Sequence, residues 1–214
     1  SFRCSRRRSS PSAWFVAITN AFNFLDNMDG LAAGVGAIAA GIYLAATLIG
    51  GQWFIAALAA LLTGALDVGK GALAVWLAGQ MVPESHQAVA EVMGGMAVIL
   101  GHNYSIFLGF RGGAGVGTSL GALGAIYWPA AIALLVLLLV VIAATRYASV
   151  GSLTVTTLMP IILLALAMTG SLSLTYVFYG LLAWIIIVYS HLPNIRRLIQ
   201  GTERRIGGQS QPHS

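Results

Sequence analysis

The chain has 214 residues, of which 58% are hydrophobic and 8% charged, and its mean hydropathy is +0.86. This composition excludes a soluble globular core and indicates an integral membrane protein. The net charge is +5, but the basic residues cluster at helix ends and termini without interleaved aromatics, so nucleic acid is excluded as a partner. Cys4 is the single cysteine, which excludes an intramolecular disulfide and a cysteine-based metal site.

In chain order, residues 1–12 are basic and polar and are predicted to form a disordered leader or the edge of a fragment. Charged residues are then absent from 30–66, 112–145 and 147–195. Each gap exceeds the roughly 20 residues that one membrane crossing needs. The predicted fold class is all-α, a polytopic membrane helical bundle with about seven to eight membrane-embedded helices, some short or partial. The apolar segments are 13–25, 31–50, 53–66, 71–83, 87–101, 115–127, 128–145, 149–170 and 174–190.

Charge asymmetry predicts the orientation of these segments. With the C-terminal tail in the cytoplasm, an alternating count places Lys70, Arg111 and Arg146 on the same side. The opposite loops, near 51–52, 82–86, 127–128 and 171–173, contain no lysine or arginine. Because a full crossing by 13–25 would place the basic leader on the opposite side, 13–25 is predicted not to cross fully. Trp128-Pro129 marks a boundary, because proline is best tolerated in the first turn of a helix.

A glycine-rich stretch, FLGFRGGAGVGTSLG at residues 107–121, follows His102-Asn103. Its glycines leave backbone N–H groups able to converge on an anion, Arg111 adds charged donors, and Thr118 can start the next helix. Small residues at these spacings also serve close helix packing, so a phosphate cradle and a packing motif stay equally open.

The tail from 189 to 207, YSHLPNIRRLIQGTERRIG, leaves the last span with His191 and Asn194 at the interface. Arginine pairs after a last helix usually anchor it and set its orientation. The residue types alone therefore favour an anchor over a binding element.

Together these stretches resemble the bacterial membrane acyltransferase family that moves an acyl group from acyl phosphate to glycerol 3-phosphate, giving lysophosphatidate for phospholipid synthesis. The resemblance covers about 66–207. The matching pieces are Leu66-Asp67 with Lys70-Gly71-Ala72, Gly101-His102, Phe107 to Gly113 with Gly115, Thr145-Arg146-Tyr147, Asn194 to Leu198, and Gly201 to Arg204.

The resemblance implies an active site between helices at the cytoplasmic face of a bacterial inner membrane, with the glycine-rich loop holding the phosphate of glycerol 3-phosphate. His102 and Asn194 are the implied catalytic residues, and either His102 or the phosphate itself takes the proton of the glycerol hydroxyl. The implied partners are acyl phosphate, glycerol 3-phosphate and membrane lipids, with no cofactor. The implied substrate-binding residues are Lys70, Arg111, Gly112, Gly113, Gly115, Gly117, Thr118 and His191.

Three departures from the family pattern bear on activity. Ala114 stands where the family has a lysine, and Pro193 stands where it has a glutamate. The family's first motif, a Ser-Gly-Asn-Ile-Gly-Ala-Thr-Asn type loop before Asp67, is absent. An impaired enzyme or an inactive membrane protein therefore stays an alternative.

Residues 19–34 read TNAFNFLDNMDGLAAG instead, with Asn20, Asn23, Asp26 and Asp29 at intervals of three. Carboxylates at a membrane boundary are costly unless they serve a site, and such oxygen ligands suit Mg²⁺. A polar helix cap is the alternative. Residues 14–65 resemble the polyprenyl-phosphate N-acetylhexosamine-1-phosphate transferases, which implies a transferase fragment in which these four residues are a remnant motif that uses Mg²⁺.

The two resemblances predict a join near residue 66. The predicted units are a leader at 1–12, a transferase-like membrane segment at 13–65, an acyltransferase-like membrane domain at 66–207 and a disordered tail at 208–214. Since Ala65 continues into Leu66 without a linker, a truncating join is favoured over two intact modules.

Overall fold

A computed structural model describes residues 52–105 and 112–206, and all regular structure in these ranges is helical. The all-α prediction is therefore confirmed for the described part of the chain, whereas the count of seven to eight membrane helices is not confirmed. By length and composition alone, three helical stretches of the described residues could cross a membrane, and a fourth candidate arises if a pair of helices bent by 59° counts as one span. The helices are α1 (Gln52–Gln80), a 3-10 turn (Glu84–His86), α2 (Gln87–Asn103), α3 (Val116–Thr145), α4 (Ala148–Met168), α5 (Thr175–Ser190) and α6 (Leu192–Ile199).

Helix α1 corrects the predicted division of this region into separate segments at 53–66 and 71–83. It runs without a break for 29 residues, so its two ends cannot both lie in loops at one membrane face. The sequence predicts a boundary at Asp67 and Lys70 because each carries a charge. They are one turn apart, and their side chains form an ion pair of 3.0 Å, so the helix continues through a neutralised pair.

Glycines allow α1 to approach its neighbours closely. A Cβ on Gly71 would overlap the carbonyl oxygen of Thr118, and one on Gly121 would overlap that of Val68, so backbones of α1 and α3 touch. On α2, a Cβ on Gly94 would lie 2.7 Å from that of Ala78. Small residues at such crossings supply the van der Waals contact that holds membrane helices together.

Helix α3 folds back on itself near its middle. Tyr127 has non-helical angles of φ −155° and ψ 89°, and a Cβ on Gly124 would lie 3.7 Å from that of Ala131. Seven residues of straight helix would separate these positions by roughly 10 Å. The boundary predicted at Trp128-Pro129 is therefore confirmed, and both ends of α3 return toward the same end of the bundle.

Helices α2 and α5 run parallel, since Glu91 contacts Tyr176 at one end of their interface and Asn103 contacts Ser190 at the other. The loops that precede them, at 81–86 and 169–174, consequently lie at one end of the bundle. The glycine-rich loop, the start of α4 and the tail lie at the opposite end. This basic end holds His102, Arg146 and the arginines at 196, 197, 204 and 205.

The bundle buries a compact apolar core and leaves many large apolar side chains outside. Leu123, Met159 and Tyr179 are at most 1% exposed, whereas Leu139 is 59% and Ile185 is 54% exposed. Outward-facing aliphatic side chains along whole helices fit a hydrocarbon surrounding. The described residues thus form a multi-pass membrane bundle.

Candidate active site

Three ionisable side chains meet at the basic end, where α1 faces the last turn of α2. Lys70 Nζ lies 3.0 Å from Asp67 Oδ1 and 2.7 Å from His102 Nδ1. His102 Nδ1 is 3.7 Å from the same carboxylate oxygen. The side chains are 16–23% exposed, so the cluster is partly shielded and still reachable from the surface. We call it the Asp67 cluster.

The short Lys70 contact determines where His102 carries its proton. A lysine ammonium has only donors, so His102 Nδ1 must accept from it. The neutral imidazole then carries its hydrogen on Nε2, an assignment inferred from the partner. Asp67 Oδ1 accepts from the same ammonium at 3.0 Å. His102 is consequently arranged to donate a hydrogen bond from Nε2 rather than to accept one there.

The described part of the glycine-rich loop, from residue 112 onward, lies directly on the end of α2. Gly113 N donates to the carbonyl oxygen of His102 at 3.2 Å, and a Cβ on Gly113 would overlap His102 Nε2. A Cβ on Gly112 would overlap the same carbonyl oxygen, and a Cβ on Gly117 would lie 3.2 Å from the Cβ of Asp67. The described glycines of this loop thus pack closely on α1 and α2, as one of the two interpretations of the sequence predicts. The phosphate cradle stays a prediction, now placed over the Asp67 cluster.

A second cluster, the tail pocket, forms where the tail folds back onto the start of α4. Ile206 N donates to Arg146 O at 2.8 Å, and Arg205 Nε donates to the hydroxyl of Tyr147 at 2.8 Å. The tail therefore packs against the start of α4 and forms part of a pocket wall. The resulting pocket has a volume of about 610 Å³ and is lined by Ala148, Ser149, Asn194, Arg197, Thr202, Glu203, Arg204, Arg205 and Ile206.

Glu203 forms hydrogen bonds with two other side chains of the tail pocket. Its two carboxylate oxygens accept from Asn194 Nδ2 at 3.0 Å and from Arg197 Nε at 2.7 Å. Burial alone would raise the pKa of the Glu203 carboxyl, but the interactions with Arg197, Asn194 and Ser149 outweigh it, and the net pKa is lowered. The ionised form is thus the one that this structure stabilises.

The lowered pKa predicts an acid-sensitive tail. A carboxyl whose pKa is depressed on folding contributes its stability above the unfolded pKa, about 4.3, and loses it as the pH falls through the folded value. Protection factors at 192–206, in which the intrinsic pH dependence of exchange is divided out, should therefore be high at pH 7 and fall below pH 4.3. Glu203→Gln should have low protection factors at both pH values. A wild-type tail with no change across this window would contradict the prediction.

The other predicted residues have distinct settings. His191 is 4% exposed, and its Nδ1 lies 2.8 Å from the carbonyl oxygen of Ile187 on its own helix. Thr118 is fully buried, and α3 begins at Val116 with Gly115 as its cap, two residues before the predicted start. The predicted site residues outside the described ranges are Arg111, Asn20, Asn23, Asp26 and Asp29.

Sequence reasoning missed two participants, Ser149 and Glu203. Ser149 is 4% exposed, and its hydroxyl lines the tail pocket without a hydrogen-bond partner of good geometry among the described residues. No local pattern marks Ser149, whereas Glu203 lies in the matching piece Gly201 to Arg204, where the sequence assigned it no role. Only the return of the tail to Arg146 brings them beside Asn194.

Comparison with known proteins gives the family. A sequence model described as glycerol-3-phosphate acyltransferase matches residues 53–201. A glycerol-3-phosphate acyltransferase of Rhodospirillum rubrum is 41% identical, with 71% of this chain and 70% of the relative aligned. Those of Halalkalibacterium halodurans and Alkaliphilus metalliredigens are 35% and 38% identical, with 68% and 70% of this chain and 70% and 71% of the relatives aligned.

Two solved structures are similar in fold. They are crystal structures of PlsY (YgiH), an integral membrane glycerol 3-phosphate acyltransferase, in a glycerol 3-phosphate form and a lysophosphatidic acid form. Each has a TM-score of 0.65 and covers 91% of this chain and 96% of its own, at 26% and 28% identity.

These matches also bear on the second resemblance. The family match begins at residue 53, inside the segment assigned to a transferase fragment, and α1 continues through residue 66 without interruption. The resemblance of 14–65 to the polyprenyl-phosphate transferases is not borne out, and the domain boundaries stay predictions. On the extent and identity of the matches, the chain belongs to the glycerol-3-phosphate acyltransferase family.

Proposed function

We propose that this chain transfers an acyl group from acyl phosphate to glycerol 3-phosphate and releases lysophosphatidate for phospholipid synthesis. The observation that carries the proposal is the Asp67 cluster directly beneath the glycine-rich loop, in a chain of this family. A lysine ammonium, a histidine N–H and loop amides at the start of α3 are the donors that a phosphate dianion needs.

Two phosphate-bearing substrates require two anion positions. The glycine-rich loop above the Asp67 cluster supplies one. The tail pocket supplies the other, with the Ser149 hydroxyl, the Asn194 amide and several arginines around a cavity of about 610 Å³. This volume is within the usual range for small-ligand sites. Lys70 at the first position supplies a cation to a loop whose family lysine is replaced by Ala114.

The reaction needs alignment more than activation, because acyl phosphate is already activated. The glycerol hydroxyl oxygen bonds to the acyl carbon, the bond from that carbon to the phosphate oxygen breaks, and inorganic phosphate leaves. The departing phosphate takes the hydroxyl proton. His102 donates from Nε2 to a phosphate oxygen and holds it in place, since its Nδ1 accepts from Lys70. Of the two proton acceptors that the resemblance implies, this proposal takes the phosphate and gives His102 a positioning role.

The basic end faces the cytoplasm of a bacterial inner membrane in this proposal. All the described arginines and Lys70 lie at this end, whereas the loops at 81–86 and 169–174 contain no lysine or arginine. Such an asymmetry orients membrane proteins with the basic loops inside. Glycerol 3-phosphate would then reach the site from the cytoplasm.

The proposal is tested with the full chain in lipid vesicles, supplied with labelled glycerol 3-phosphate and palmitoyl phosphate. We expect labelled lysophosphatidate, an unchanged rate in EDTA because the reaction uses no metal, and no product with palmitoyl-CoA. Product from palmitoyl-CoA alone would refute the donor assignment. Correctly inserted protein that forms no product with either donor would refute the function.

A further inference from the structure

The parallel interface of α2 and α5 carries polar contacts at both ends. Far from the site, Tyr176 OH donates to Glu91 Oε2 at 2.6 Å. At the basic end, Asn103 Nδ2 donates to Ser190 Oγ at 3.0 Å. Between them, Gly95 packs against the ring of Tyr179. The two hydrogen bonds join the same two helices, but only the Asn103 bond is adjacent to the Asp67 cluster.

The direction of the Asn103 contact is fixed by its neighbours. Ser190 Oγ donates its own hydrogen to the carbonyl oxygen of Ile186 at 3.0 Å, so its oxygen accepts from Asn103. Asn103 is 5% exposed. Its Oδ1 is buried and has no hydrogen-bond partner within 52–105 and 112–206. A buried amide oriented by one bond loses much of its fixed position when that bond is removed.

The other side of the Asn103 amide touches the glycine-rich loop. A Cβ on Gly115 would lie 2.5 Å from Asn103 Oδ1, and Gly115 has φ of +78° at the cap of α3. Glycine alone adopts this angle without strain while leaving room for the amide. Asn103 thus contacts the end of the loop on one side and the end of α5 on the other, where the tail begins at His191.

We propose that Asn103 and Ser190 form a latch that holds the glycine-rich loop in register with the tail pocket. The latch rests on the proposed function, in which the loop and the tail pocket each hold one phosphate. Asn103 is a positioning residue, since it acts through the loop and through α5. Its loss misaligns the two substrates, and misalignment lowers turnover more than it weakens the binding of either substrate.

The test compares Asn103→Ala and Ser190→Ala with Tyr176→Phe, which removes one hydrogen bond from the far end of the same interface. We expect the two latch variants to lower kcat about tenfold while KM for glycerol 3-phosphate changes less than about twofold. Ser190→Thr keeps the hydroxyl and should restore kcat. Tyr176→Phe should lower Tm without changing kcat. Equal kcat in Asn103→Ala and Tyr176→Phe would overturn the latch.

Hydrogen exchange separates failure of the latch from failure of the function. In Asn103→Ala and Ser190→Ala, amides at 112–118 should exchange about three to ten times faster than in the wild type, the range for losing one buried hydrogen bond. Tyr176→Phe should leave these amides unchanged. This readout holds even if the wild type forms no lysophosphatidate. Unchanged exchange at 112–118 in both latch variants would overturn the proposal.

Discussion

Replacing Lys70 with methionine is expected to lower the rate of lysophosphatidate formation by about two to three orders of magnitude, the usual effect of removing one charge-stabilising donor from an active site. Methionine keeps the length and helix propensity of the side chain but removes the ammonium. That ammonium contacts both Asp67 and His102. Its loss removes the charge beneath the glycine-rich loop and releases His102 from the tautomer with hydrogen on Nε2.

Arg196→Met is the matched control for this prediction. Arg196 is an exposed cation at the same end of the bundle and does not line the tail pocket. Its replacement removes one positive charge and should change the rate less than about twofold. Steady-state rates with palmitoyl phosphate in lipid vesicles measure both variants. A Lys70→Met enzyme with the rate of Arg196→Met would show that Lys70 only neutralises Asp67 within α1.

Asp67→Asn distinguishes the two roles of the ion pair. It keeps the Lys70 side chain in place but removes the carboxylate of the ion pair. Its rate should fall less than that of Lys70→Met, because Lys70 still donates to His102. If Asp67→Asn is faster than Lys70→Met, the cation itself serves the reaction. If the two variants are equally slow, the reaction needs the paired charges.

The apolar segments of the sequence predicted three of the breaks between helical stretches. Loops at 82–86, 127–128 and 171–173 all appear as breaks in the structure. They were predictable because a break between apolar helices depends on local residues such as Pro129 and Gly170. The close packing of the glycine-rich loop was also one of the two interpretations that its residue types allowed.

The features that were not predictable depend on pairs of distant residues. The continuity of α1 required Asp67 and Lys70 to count as one neutral unit, whereas hydropathy scores each charge separately. The participation of Ser149 required knowing that Ile206 bonds to Arg146, a contact across 60 residues of chain. Periodicity along a helix contains no information on either point.

A last prediction concerns the interface between α1 and α3, next to the Asp67 cluster and the glycine-rich loop. Gly71→Ala places a Cβ against backbone atoms of α3: it overlaps Thr118 O and lies 2.9 Å from Ala122 N. Backbone cannot move aside as a flexible side chain does, so the helices must separate. Overpacking of this kind costs about 1–3 kcal/mol of unfolding free energy, which lowers Tm by roughly 3–10 °C in a chain of this size.

Gly69→Ala, two residues earlier on the same helix, is the control because nothing lies within 4 Å of its added Cβ. Alanine there should leave Tm unchanged or raise it slightly, since it is the better helix former by about 0.5–1 kcal/mol. Thermal unfolding in detergent, followed by near-ultraviolet circular dichroism, measures both variants. Because Lys70 lies beside Gly71, the separation of α1 from α3 should also move the ammonium away from the loop. Gly71→Ala should therefore be less active than the wild type even at temperatures below its own Tm, where it is still folded. Equal Tm values for the two alanine variants would mean that α1 and α3 do not meet backbone to backbone at Gly71.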